Sequence, residues 1–69
     1  MADDFNMSLR KFLKRVGVTS QQEIEAAVRR AREAGALPAG RPLAAKVTLT
    51  VAGVGLTHEI RGEIETDEA

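Results

Sequence analysis

The chain has no cysteine, tryptophan or tyrosine, one histidine, two prolines and two phenylalanines among its 69 residues. Without cysteine no disulfide can brace the fold, and the composition fits a reducing compartment, the cytoplasm. A closed structural zinc site takes four Cys or His ligands. His58 stands alone, so no metal site is expected. Small folds draw support from disulfides, a metal or oligomerisation, and only the third is left. A chain of 69 residues is read as a single domain, 1–69, with a modest reserve of stability because a short chain buries a small share of its surface. No run approaches the ~20 apolar residues of a membrane span, so no membrane partner is expected. Met1-Ala2-Asp3-Asp4 carries acid where a secretory signal would begin with positive charge.

Catalytic constellations are missing as well. There is no Cys nucleophile and no Ser-His-Asp set. Gly53-Val54-Gly55 lies between two strand-like runs rather than ahead of a helix, so it is not a dinucleotide fingerprint. Glu63, Glu65 and Asp67 form an acidic end with no acid–base partner in the pattern. So short a chain also leaves little room for a pocket of ~300 Å³ or more. The expectation is a protein that is not an enzyme, with no catalytic residue and no cofactor.

What is present is charge, unevenly spread. Residues 1–46 hold nine Lys/Arg and five Asp/Glu, a balance of +4, whereas 47–69 hold Arg61 against five acids, a balance of −4. Halves of opposite sign suit a charged partner or self-association through complementary fields. The hydrophobic content of 43% is enough to build a core, which argues against wholesale disorder.

Residues 4–16 have helical spacing. Phe5, Leu9, Phe12, Leu13 and Val16 fall on one stripe, with Asp3, Asp4 or Asn6 available as caps. Gly17 is placed to end this helix in a left-handed conformation. Ser20 and Glu23 then have capping-box spacing for a second helix with Ile24, Ala27, Val28 and Ala31 on its apolar face, ending at Gly35. Glu25–Arg29 and Arg29–Glu33 are i,i+4 pairs on its other face. The spacing thus predicts helices over about 4–16 and 20–34, joined by a tight corner at Gly17-Val18-Thr19. Gly35 to Pro42, with two Gly and two Pro, reads as a connector over 35–42 from which Leu37 reaches the core.

From Leu43 the period changes to two. Alternation predicts strands over about 43–51 and 54–65, a hairpin, and a frayed acidic tail over 66–69. A two-residue turn at Ala52-Gly53 would pair Val51 with Val54, Leu49 with Leu56, Val47 with His58 and Ala45 with Ile60. On the polar face it would set Thr48 opposite Thr57 and Lys46 opposite Glu59, favourable cross-strand neighbours. Ala-Gly is not the ideal two-residue turn, so a four-residue loop is the alternative. The expected fold class is α+β: two N-terminal helices packed on one face of a C-terminal antiparallel hairpin, with Phe12 in the core between the layers. His58 falls beside Val47, Leu56 and Ile60, which suits a histidine at the edge of a core.

The segments Phe5-Asn6-Met7-Ser8-Leu9-Arg10-Lys11-Phe12-Leu13-Lys14, Val16-Gly17-Val18-Thr19-Ser20-Gln21 and Ala45-Lys46-Val47-Thr48-Leu49-Thr50 resemble a family of short bacterial proteins, about 70 residues long, of unknown function. The resemblance covers nearly the whole chain. It implies a free-standing bacterial cytoplasmic protein and carries no activity, ligand or site residue.

Two surfaces stand out. On the first helix Arg10, Lys11 and Lys14 lie opposite the apolar stripe, Arg15 flanks them and Met7 falls among them. Charged faces are commonly just solvated, but this one also suits an acidic protein partner, with Met7 as an adaptable contact. Nucleic acid is the second candidate. Val16-Gly17-Val18 resembles the turn of a helix-turn-helix, yet Leu13 stands where that motif takes a small residue, and Glu23 where it takes a buried branched one. Base-stacking aromatics are absent from the strands. The other surface is the first strand, where Lys46, Val47, Thr48, Leu49 and Thr50 carry a single charge. An open edge so lightly charged suits pairing with a second copy. The expected function is a small non-catalytic interaction module that self-associates through this strand. The alternative is a nucleic-acid-binding accessory protein using the basic helix face.

Overall fold

A computed structural model describes residues 2–38 and 40–66. The expected acidic tail therefore lies outside the described residues, apart from Thr66. The element order is one helix, α1, Ala2–Glu33, then two strands, β1, Leu43–Val51, and β2, Leu56–Ile64. The class is α+β, with the strands in a two-stranded antiparallel sheet. The chain divides into two compact units, Met1–Leu37 and Pro38–Ala69.

The expected corner at 17–19 does not form. α1 runs unbroken for 32 residues, a length of ~48 Å at 1.5 Å per residue. Gly17 is not among the glycines with positive φ, and no neighbouring heavy atom lies within 4 Å of the place a Cβ would take. A glycine in a helix interior costs roughly 1 kcal/mol relative to alanine. Ending one helix and starting another would orphan up to four carbonyls and four amides, a larger cost with nothing to offset it. Thr19 adds to the continuity, because its hydroxyl donates to the carbonyl of Arg15 at 2.7 Å. This i−4 back-bond is open to a threonine inside a helix. Ser20 and Glu23 thus lie in mid-helix and cap nothing. Asp3 and Asp4 occupy the first turn and Arg30 and Arg32 the last, as the helix dipole favours.

The helix ends where the sequence places its stop. Gly35 has φ 69°. Its N–H donates to the Arg32 carbonyl at 3.1 Å, and the Ala36 N–H reaches back to the Ala31 carbonyl at 2.8 Å. A residue with a Cβ is strained in that left-handed conformation, so glycine fixes the stop.

In the hairpin, β1 falls where alternation predicts it, and the turn is the four-residue alternative rather than the two-residue turn at Ala52-Gly53. Val51 pairs with Leu56, which leaves Ala52-Gly53-Val54-Gly55 as a four-residue loop. Gly53 and Gly55 have φ of 93° and 66°, conformations that side-chain-bearing residues avoid. The two glycines therefore belong to the turn, and β2 begins two residues later than expected. The register moves by two: Val47 faces Ile60, Leu49 faces His58, Thr48 faces Glu59, and Lys46 faces Arg61. A shift of two keeps every side chain on its expected face, since the strand period is two. It replaces the expected Lys46–Glu59 pair with two cations, and Arg61 turns along its own strand to Glu59 at 3.3 Å.

None of the described residues is buried. Phe12, expected in a core, is 48% exposed, and Phe5 and Ile60 are 66% and 52% exposed. Leu37, expected to tuck inward, is half-buried. Each unit taken by itself therefore encloses no core.

Candidate interaction surfaces

Met7, Arg10, Lys11, Lys14 and Arg15 all lie on α1 and are exposed. A single helix changes their setting. At 3.6 residues per turn the face that holds Lys11 and Lys14 continues into Glu25, Arg29 and Arg32. The cationic patch is thus local to residues 10–15, and further along the same face acid is mixed with base. Glu25 accepts a hydrogen bond from the Gln21 side chain at 3.1 Å. The helix-turn-helix reading falls with the corner, because no turn separates the segments it would need.

Lys46, Val47, Thr48, Leu49 and Thr50 lie together in β1. The sheet has the order β1–β2, so among the described residues each strand keeps one side without a neighbour. Open edges of this kind are templates for a further strand. β1 carries Lys46 alone, whereas β2 carries Glu59, Arg61 and Glu63. On the apolar side Val47, Val51, Leu56 and Ile60 are all exposed, and Val54 at the turn is 74% exposed.

An open groove of about 430 Å³ lies on the hairpin against Ala44, Ala45, Lys46, Arg61, Gly62 and Glu63. The small residues Ala45 and Gly62 face each other there and leave the hollow. Lys46 and Arg61 contribute two cations, but Glu63 beside them and Glu59 on Arg61 balance the charge. His58 is exposed in β2 opposite Leu49 and meets no core. Among the described residues no cluster of three His, Asp or Glu could hold a metal ion. Among them, too, no helix is long and apolar enough to cross a membrane.

One feature of α1 escapes a reading in two helices. Once the corner is gone, the two apolar stripes join into one, from Phe5 to Ala31. The signal was present in the spacing of Leu9, Leu13 and Val16, which recurs eleven residues on at Ser20, Ile24 and Ala27.

These features define a small α+β protein of one long helix and an antiparallel hairpin whose exposed apolar faces and strand edges are its main chemical resources. The model of a family of unknown function, DUF6494, matches residues 1–67, and the chain belongs to that family. No curated protein and no solved structure matches it.

Proposed function

We propose that the protein is a non-catalytic interaction module that self-associates, with the open edge of β1 as one contact. The observation that carries this reading is the absence of a buried residue in either described unit, while large apolar side chains from Phe5 to Ile60 stand in solvent. A two-stranded hairpin is marginal in water on its own. Helices in proteins likewise draw most of their stability from packing of an apolar face. Two copies meeting antiparallel along Leu43–Val51 would form a four-stranded sheet with twofold symmetry. The finer expectation that helix covers one face of the hairpin belongs to this proposal, now with α1 in place of two helices. So does a cytoplasmic setting.

Sedimentation at tens of micromolar tests the module directly. Wild type should sediment as a dimer or larger, and Thr48→Lys should shift it toward monomer. Near the proposed axis the new lysine would meet its own symmetry copy, whereas within its own hairpin it faces Glu59 and gains a partner. A strictly monomeric wild type at hundreds of micromolar would sink the proposal.

The second reading, nucleic-acid binding, rests on four exposed cations within residues 10–15. The same cluster would serve an acidic protein partner.

A further inference from the structure

We infer that α1 pairs with α1 of a second copy, antiparallel, about a twofold axis at Ser20. This rests on the self-association proposed above and adds a contact that the strand edge does not supply.

The spacing along the helix is the first ground. Leu9, Leu13, Val16, Ser20, Ile24, Ala27 and Ala31 follow one another at intervals of four, three, four, four, three and four. This is an eleven-residue recurrence, about 3.67 residues per turn, so the seam runs nearly straight along a 3.6-residue helix. The series also reads the same from either end, with Ser20 at its centre. A helix reversed about Ser20 therefore sets every seam position opposite another seam position: Leu9 against Ala31, Leu13 against Ala27, Val16 against Ile24, and Ser20 against itself.

Side-chain volume is the second. The N-terminal half of the seam is large and its C-terminal half small, with Leu9 and Leu13 at one end and Ala27 and Ala31 at the other. Antiparallel pairing fits each leucine to an alanine, with Val16 and Ile24 together nearer the centre. A parallel pair would crowd leucine on leucine at one end and leave alanine against alanine at the other, a gap at that end.

The side chains that would be covered are available: Leu9, Leu13 and Ile24 are all exposed and Ser20 is half-buried.

A chain without cysteine makes the geometry readable by cross-linking. Ser20→Cys at tens of micromolar under mild oxidation should give a covalent dimer on a non-reducing gel. Leu9→Cys alone should not, because its two copies would be separated by about 22 residues of helix, ~33 Å. Leu9→Cys mixed with Ala31→Cys should give the mixed dimer. A Leu9→Cys homodimer would establish parallel pairing and overturn the inference. A wild type that sediments as a dimer while Ser20→Cys, with its circular dichroism unchanged, fails to cross-link would also overturn it, leaving the strand-edge dimer standing. A wild type monomeric throughout would remove both.

Discussion

The Thr19 hydroxyl donates to the Arg15 carbonyl at 2.7 Å, and so a hydrogen bond internal to the helix spans the point where two helices had been expected to part. Around it lie Gly17, which costs helix stability, and Ser20, which elsewhere starts helices. Neither breaks α1, because no left-handed residue and no proline falls between Ala2 and Glu33.

Gly17→Ala follows from this. The position has helical backbone and open space around the added methyl, so alanine should stabilise α1 by about 1 kcal/mol. The expected result is a higher midpoint of thermal unfolding, followed by circular dichroism at 222 nm. A lower midpoint would mean that Gly17 serves a bend after all. Gly17→Pro should divide the helix and lower its signal sharply.

Phe12→Ala separates packing within the chain from packing between chains. Phe12 is 48% exposed, so its truncation opens no cavity in the single chain. At low micromolar concentration the helical signal should stay close to wild type. At tens of micromolar the population of dimers should fall, since about half of a phenylalanine's burial energy, on the order of 1 kcal/mol per copy, is lost from the contact. Loss of the helical signal at high dilution would instead place Phe12 against its own chain.

What was legible in the sequence follows a physical divide. β1 could be read to the residue, because strict alternation from Leu43 to Val51 stops at a glycine-bearing turn and starts after Pro42. Gly35 could be read as a stop, because the connector after it holds Pro38 and Pro42 and cannot be helical. Gly17 carries the same residue type without that context: the segment after it, from Thr19 to Glu33, is itself helical in pattern. Local signals cannot weigh one glycine's cost against the carbonyls a break would orphan. The register failed for a similar reason. Cross-strand charge favoured Lys46 opposite Glu59, worth a few tenths of a kcal/mol at a solvated face, but the backbone of a turn that takes two left-handed residues, Gly53 and Gly55, decided the pairing. Both candidate surfaces were legible as patterns, since exposure of a charged helix face and of a sparsely charged strand needs no tertiary information. The joined stripe of α1 is present in the spacing of Leu9, Leu13, Val16, Ser20, Ile24 and Ala27, but a break placed at Gly17 divides it and hides the recurrence.

Nucleic-acid binding can be tested by salt. If the four cations of residues 10–15 contact phosphates, affinity for duplex or single-stranded DNA or RNA should fall steeply between 50 and 200 mM salt, on the order of a hundredfold for four contacts. Lys11→Glu with Lys14→Glu should then remove binding. We expect no shift of any of these at low salt, because Glu25 shares the face of Lys11 and Lys14. A salt-dependent shift lost in the double variant would establish the second reading instead.

The hairpin register can be trapped in the same cysteine-free chain. Leu49 and His58 are direct partners, whereas Val47 lies diagonal to His58. Direct antiparallel partners have Cα atoms ~4.5–5.5 Å apart, within the range a disulfide spans. Diagonal positions are ~7–8 Å apart and exceed it. Leu49→Cys with His58→Cys should therefore oxidise readily within one chain, seen as a loss of two mass units with no change in molecularity. The bond should raise hairpin stability by about 2–3 kcal/mol through loop closure. Val47→Cys with His58→Cys should stay reduced or form only intermolecular bonds under the same conditions. The reverse outcome would restore the two-residue turn at Ala52-Gly53, return Lys46 to Glu59, and place Thr48 opposite Thr57. In that register Thr48→Lys would lose its partner across the hairpin, so this pair of variants also decides whether weakened self-association by Thr48→Lys can be assigned to the edge of β1 alone.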